Sequence, residues 1–163
     1  MRALLAAMFL AGCAPKKADK PAAERPTRDA SNDDAPASCQ NDPRVDAYVE
    51  NLSKTGEYGV LVFHLLRSDP APPARGDNTF TFKIAGNDGT PASADLRVNL
   101  TQPDRNLPSL VDPMISFDVG MGIHTVTPLH MHIGGVWRLD LEARIEMDAG
   151  ITDDLATFYF CIP

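Results

Sequence analysis

The sequence predicts an all-β fold, an antiparallel β-sandwich of about seven strands. In residues 137–147, apolar residues alternate with charged ones, so the two sets would lie on opposite faces of a half-buried strand. Short alternating segments also recur from residue 59 to residue 161, separated by clusters of Gly, Pro, Asn and Asp. Many short strands with turn residues between them are typical of a sandwich.

We predict that residues 127–147 form a long hairpin around the only tryptophan of the chain. The apolar residues of its two strands reach the same core only if residues 134–136 form a three-residue turn. Such a turn needs a glycine at a positive φ angle. It would set Ile133 opposite Trp137.

The other elements are predicted from the same patterns. Asp42 and Pro43 are typical of a helix start, and apolar residues at helical spacing follow, so we predict a short helix. The prolines in residues 69–76 predict a crossover that cannot lie in a central strand. We also predict strands at residues 59–67, 79–85, 95–101, 115–119 and 155–161, and loops at residues 102–113 and 148–154.

The N-terminus predicts a lipoprotein signal peptide in residues 1–12. A short apolar run follows Met1 and Arg2, and small residues precede Cys13 as in a bacterial lipobox. The mature chain would then begin at Cys13, which would carry two or three acyl chains, enough for stable anchoring in a membrane. Ala14 after the cysteine favours the periplasmic face of the outer membrane over the inner membrane. The alternative is an ordinary signal peptide with a chance cysteine.

Residues 13–38 are predicted to be the lipidated cysteine and a disordered linker, because almost no residue there can be buried. The folded domain is predicted at residues 39–163. Its nine basic and seventeen acidic residues give a net charge of −8, which argues against nucleic acid as a partner.

Two of the three cysteines remain after Cys13 is assigned to lipid. Cys39 and Cys161 lie at the two ends of the domain, and leftover cysteines of an exported protein usually pair. We therefore predict a Cys39–Cys161 disulfide. Soft metal ligands or free thiols are the alternatives.

Several passages resemble the YtkA-like/FixH-like domain family. They are Gly76-Asp77-Asn78-Thr79-Phe80, Asp88-Gly89-Thr90-Pro91 before Ala94-Asp95-Leu96, Thr125-Val126-Thr127-Pro128-Leu129 before Gly135-Val136-Trp137, and the final Phe160-Cys161. The resemblance covers residues 39–163. It implies an immunoglobulin-like sandwich and a role in envelope metal handling, mostly of copper, without catalysis.

The chain departs from that family at its Met/His loop. Where many members carry Met-Pro-x-His-Gly-His, this chain has Gln102, Arg105 and Leu107 in place of the methionine and the two histidines. A thioether and two imidazoles suit copper, whereas these replacements do not. We therefore predict that the family's metal loop is lost.

One candidate site for copper or zinc remains. His130 and His132 would project from the same face of one strand, with Asp140 opposite His130 in the predicted hairpin, and His124 is a candidate third ligand. The alternative is a solvated strand face. Met114 and Met121 are interpreted as core or loop residues rather than ligands.

No sequence motif of an enzyme is present, and Asp153 and Asp154 are predicted to be exposed turn residues that aid solubility. We predict no catalytic residue and no certain cofactor. The first hypothesis is a lipid-anchored accessory module of the cell envelope that acts through protein partners. The second is a periplasmic metal-handling protein that uses the His-x-His pair.

Overall fold

In the computed structural model of the chain, the described residues are 39–118, 120–147 and 150–163, with Met147 described without its side chain. The predicted signal peptide (residues 1–12), Cys13 and the predicted linker to residue 38 lie outside these residues. Within the described residues, no helix is long and apolar enough to cross a membrane.

The described residues form two antiparallel β-sheets that pack together, so the predicted all-β sandwich is confirmed. This part of the chain contains nine strands, two of them at most four residues long. In chain order they are β1 (Leu52–Thr55), β2 (Leu61–Asp69), β3 (Gly76–Gly86), β4 (Ala94–Gln102), β5 (Leu107–Pro108), β6 (Met114–Asp118), β7 (Ile123–Met131), β8 (Gly135–Met147) and β9 (Gly150–Ile162). The first sheet has the order β1-β2-β3-β7-β6, and the second has the order β5-β4-β8-β9.

The core lies between the sheets and is built from alternate residues of the longer strands. Phe80, Phe82 and Ile84 of β3 are fully buried, as their alternation predicts. The ring of Phe80 meets Phe160 of β9 edge to face, with centroids 5.0 Å apart. Each buried side chain of this size contributes about 1.5–3 kcal/mol of transfer free energy, so these contacts hold the two sheets together.

The prediction that residues 127–147 form a hairpin is wrong. β7 ends at Met131 in the first sheet and β8 begins at Gly135 in the second, so the chain crosses between the sheets as an arch. Trp137 lies opposite Phe160 of β9 rather than Ile133. The glycine at positive φ exists, since Gly135 has a φ of 125°. A hairpin and an arch bury the same alternate residues, so alternation alone did not separate them.

Two further connections differ from the prediction. Residues 70–75 join β2 to β3, which are neighbours in one sheet, so they form a hairpin loop and no crossover. The long hairpin of the molecule is β8–β9, which pairs Gly135 with Ile162 and continues to Met147 and Gly150. Most of the loop predicted at residues 148–154 is therefore strand.

The helix predicted from Asp42 does not form. The Asp42 carboxylate accepts hydrogen bonds from the backbone N–H and the guanidinium of Arg44 instead of capping a helix. Further along, the backbone N–H of Asp46 donates to the carbonyl of Tyr159, and the Asp46 carboxylate accepts the Tyr159 N–H. Residues 42–58 thus occupy the exposed edge of β9, whose backbone groups would otherwise lack partners.

This arrangement closes one side of the sandwich. Besides Asp46, the N–H of Glu57 donates to the Leu155 carbonyl, and the ammonium group of Lys54 donates to the Thr157 carbonyl. Each of these bonds uses a group on the outer edge of β9. We call this side of the sandwich, where residues 42–58 cover β9, the closed side.

The predicted disulfide between Cys39 and Cys161 is present, with the two Cα atoms 5.4 Å apart. Cys39 is the first described residue, and Cys161 lies near the end of β9. The bridge therefore joins the start of the domain to its last strand.

Candidate functional site

The side of the sandwich opposite the closed side is open. β6 is the last strand of its sheet and pairs only with β7. In the second sheet, β4 pairs with β5 only at Thr101 and Gln102, so most of its outer edge is uncovered. Within the described residues, the one further backbone hydrogen bond to β6 is the turn bond from Met121 to the Asp118 carbonyl. An uncovered strand edge is a template for pairing with another chain.

Exposed apolar side chains are concentrated on this open side. Nine large apolar residues are exposed among the described residues, and six of them fall between residues 107 and 121. They are Leu107, Leu110, Val111, Met114, Ile115 and Met121. We call residues 107–118, 120 and 121 the open edge. Met114 and Met121, which were interpreted as core or loop residues, are not in the core, since Met114 of β6 is 70% exposed and Met121, in the turn after it, is 58% exposed.

A groove of about 700 Å³ lies beneath the open edge, between the two sheets. Its apolar wall includes Leu96 of β4, Ile115 and Phe117 of β6, and His124 of β7. Its rim carries charged residues of the second sheet, among them Arg144, which forms an ion pair with Asp153. The groove therefore offers an apolar floor next to a strand whose outer edge is unpaired.

His124 is part of this groove and lies apart from His130 and His132, with which it was predicted to share a metal. Its ring is 1% exposed and stacks on Phe117, with centroids 4.3 Å apart. Its Nε2 lies 3.1 Å from the carbonyl oxygen of Ala94, which fits a neutral ring that donates from Nε2. Burial is the largest influence on the ring and lowers the pKa of His124 below its ordinary value. The side chain is six residues from His130 along one strand, a separation of about 20 Å.

Two of the predicted metal ligands do lie together, in a group that we call the histidine cluster (Asp77, His130, His132 and Trp137). The rings of His130 and His132 are nearly parallel, with centroids 5.9 Å apart. Nδ1 of His130 lies 2.5 Å from a carboxylate oxygen of Asp77, its partner residue in β3. His132 meets Trp137 edge to face at 5.4 Å, and its Nδ1 is buried without a hydrogen bond to the described residues.

The carboxylate beside His130 is therefore Asp77 and not Asp140. Asp140 lies in the second sheet, opposite Asn99 and Thr157, because β8 does not pair with β7. Its carboxylate accepts hydrogen bonds from Arg138 Nε at 2.9 Å and from Thr157 Oγ1 at 2.6 Å. The described residues hold no group of three or more His, Cys, Asp or Glu side chains arranged to bind a metal ion.

No protein-family model, curated protein or solved structure matches the chain.

The segment that resembles the family's metal loop has a structural role at its first residue. Gln102 is 2% exposed, and its side-chain amide donates to the carbonyl of Gly134 in the arch, at 2.8 Å. Arg105 and Leu107 are exposed at the surface. None of the three replacements supplies an imidazole or thioether ligand.

Sequence reasoning missed the open edge and the role of Asp77. The sequence does contain one indication of the edge. Leu110, Val111 and Met114 are apolar, but they lie among prolines in a segment without the alternating pattern of a buried strand. The proximity of Asp77 to His130 depends on the pairing of β3 with β7, and three other strands lie between these two in sequence. No pattern of neighbouring residues predicts such a pairing.

Proposed function

We propose that this chain is a lipid-anchored, non-catalytic binding module of the bacterial cell envelope that acts through protein partners. The observation that carries the proposal is the open edge, where a strand with an unpaired outer edge and six exposed apolar side chains occur together. Exposed apolar patches and uncovered strand edges are typical of interaction sites.

The contrast between the two sides of the sandwich supports this assignment. On the closed side, residues 42–58 satisfy the edge of β9 with backbone and side-chain hydrogen bonds. The same chain has no comparable cover over β6 within its described residues. A fold that covers one edge and leaves the other apolar and unpaired is suited to receive a partner there.

The anchor in this proposal is the lipid on Cys13, and the proposed location is the periplasmic face of the outer membrane. Both rest on the lipobox-like residues before Cys13 and on Ala14 after it. Membership of the YtkA-like/FixH-like family also stays a proposal, supported by the passages quoted above and by the two-sheet architecture that the resemblance implies.

Site-specific photo-crosslinking in living bacteria tests the docking surface. A photoreactive phenylalanine analogue replaces Met114, and a matched control replaces Tyr58, which is 71% exposed beside the closed side. We expect a discrete protein adduct from position 114 that an additional Ile115→Glu change abolishes. Equal adducts at both positions, or none at position 114, would contradict the proposal.

A second candidate function is binding of copper or zinc by the histidine cluster. The observation in its favour is the contact between Asp77 and Nδ1 of His130, since a carboxylate often accepts the Nδ1–H of a metal-binding histidine and leaves Nε2 free as a ligand. His132 would supply a second imidazole, and a partner or solvent would complete the coordination.

A titration with Cu(I), Cu(II) and Zn(II) tests this second function. Sub-micromolar, stoichiometric binding that His130→Ala/His132→Ala loses would support it. Asp77→Asn should then weaken binding by about 10–100-fold, the usual effect of removing such a carboxylate. Weak binding that is the same in all three proteins would leave the protein-binding role alone.

A further inference from the structure

We propose that the partner of the open edge is an extended polypeptide segment with basic ends, which pairs with β6 as an additional strand. This inference rests on the proposed function, because it names the chemistry of the partner at the same surface. Three features of the surface support this inference: a free strand edge, a groove that can hold the partner's side chains, and a pattern of negative charge that basic residues of the partner would match.

The free edge is the outer side of β6. β6 contains five residues, and the exposure pattern shows four of them exposed and Phe117 half-buried. Its register with β7 sets Ile115 opposite Val126 and Phe117 opposite His124, so these two side chains face the interior. An added strand would extend the first sheet by main-chain hydrogen bonds, the binding mode called β-strand addition.

The groove provides the place for side chains. Because side chains alternate along a strand, every second residue of the added segment would point toward the second sheet, as Ile115 and Phe117 do. There it would meet the groove wall at Leu96, Ile115 and Phe117. Apolar, β-branched residues suit these positions, since they pack well on a half-buried sheet surface.

The charge pattern comes from the ends of the strand. Asp112 lies two residues before β6, and Asp118 is its last residue, and both are exposed. Neither forms an ion pair in the part of the chain that the structure describes. The rim adds Asp95 and Glu146. Lysine or arginine at both ends of the added segment would match these carboxylates and speed association.

Two other occupants fit less well. Two copies of the chain paired antiparallel about Ile115 would set Asp112 of one copy opposite Asp118 of the other, and each domain carries a net charge of −8 from nine basic and seventeen acidic residues. The chain's own residues 14–38 contain Thr27 as their only β-branched residue and no aromatic residue, so they lack side chains for the groove.

The test measures binding of fluorescent seven-residue peptides to the full chain in mild detergent. The probe is Lys-Val-Thr-Val-Thr-Val-Lys, and its charge-reversed control carries Glu at both ends. At low salt we expect the Lys peptide to bind at least about tenfold more tightly, and we expect high salt to reduce this ratio because salt screens exposed charges. In Asp112→Asn/Asp118→Asn the ratio should fall clearly but stay above one, because Asp95 and Glu146 remain on the rim.

Backbone methylation tests strand addition directly. Alternate N–H groups of a strand point to opposite edges, so N-methylation of alternate residues blocks one edge at a time. One methylation pattern of the Lys peptide should abolish binding and the other should leave it intact. Equal effects of both patterns, or equal binding of the Lys and Glu peptides, would overturn the inference.

The remaining outcomes separate this inference from the proposed function. If no peptide binds but position 114 still gives its adduct in cells, the strand-addition inference is wrong and the proposed function stands. If neither occurs, both are wrong. A concentration-dependent dimer in sedimentation that Ile115→Glu disrupts, without peptide binding, would identify a second copy as the occupant and overturn the basic-peptide partner.

Discussion

Asp154 shows how far a single residue can depart from its local pattern. It belongs to a pair of adjacent acids in a segment predicted to be an exposed loop, yet it is fully buried. Its carboxylate accepts hydrogen bonds from the backbone N–H groups of Tyr58, Val60 and Leu61. A Cβ atom on Gly56 would overlap this carboxylate, so the turn before β2 needs glycine there. Asp154 therefore attaches that turn to β9.

We expect Asp154→Ala to destabilise the domain by about 3 kcal/mol or more. The substitution leaves several buried backbone donors without a partner, and each such loss costs about 1–3 kcal/mol. Urea unfolding followed by Trp137 fluorescence measures the change. The control is Asp153→Ala, which removes only the exposed ion pair with Arg144 and should cost less than about 1 kcal/mol. Similar losses in both variants would contradict the role of Asp154.

His124 makes the domain sensitive to acid. Burial lowers its pKa below the ordinary value of 6.5, so the unfolded chain binds the proton first as the pH falls. The stability from the neutral ring is complete above about pH 6.5 and is lost as the pH falls through the folded-state pKa. We expect His124→Phe to lose less stability than the wild type between pH 7.5 and pH 5, as measured by thermal unfolding.

The matched control for this pH dependence is His64→Gln, because His64 is only half-buried on the outer face of β2. This variant should keep the wild-type loss of stability in acid. The His124→Phe protein should also be less stable at pH 7.5 by about 1 kcal/mol, since Phe cannot donate to the Ala94 carbonyl. Equal pH slopes in wild type and His124→Phe would show that His124 is not the cause.

At the scale of elements, the arch between β7 and β8 decides the topology. Trp137 Nε1 donates to the Ile133 carbonyl at 2.9 Å, and Gln102 donates to Gly134, so both bonds fix the crossing. Gly135 supplies the backbone conformation, with φ at 125°. These contacts are specific to an arch, because a hairpin would have paired the two strands directly.

We expect Gly135→Ala to cost about 1–3 kcal/mol, the usual cost of forcing a side chain into a backbone region that favours glycine. The new Cβ would also lie 2.6 Å from the Gln102 side-chain nitrogen and displace its hydrogen bond. Thermal unfolding measures the loss. Gly134→Ala is the control, since Gly134 is not among the glycines at positive φ. A smaller loss for Gly135→Ala than for Gly134→Ala would contradict this account of the arch.

At the scale of the whole molecule, local pattern was enough for burial but not for pairing. The alternation of Phe80, Phe82 and Ile84 is a property of neighbouring residues, and it correctly predicted which side chains are buried. The sheet to which a strand belongs depends on distant partners, so the separation of β7 from β8 could not be read locally. The same holds for the histidine cluster. Local alternation correctly placed His130 and His132 side by side, but it did not predict that Asp77 of another strand lies beside His130.

The disulfide is the prediction that links the most distant parts of the sequence, since its two cysteines have a sequence separation of 122 residues. We expect Cys39→Ser/Cys161→Ser to lose about 4–5 kcal/mol, from the chain-entropy model for a closed loop of this length. Guanidinium unfolding should give the same midpoint for this variant and for the reduced wild-type protein. A variant as stable as the oxidised wild type would show that the bridge adds no stability.

The disulfide also determines where a mechanical load would enter the fold. A pull on the chain ahead of Cys39 reaches Cys161 through a covalent bond before it reaches residues 42–58. The force is then carried by β9, whose ladder with β8 runs from Gly135–Ile162 to Met147–Gly150. With the bridge reduced, the same pull would peel residues 42–58 away from the sandwich and uncover β9. Formation of the disulfide therefore decides whether the domain resists tension as one body or opens at residues 42–58.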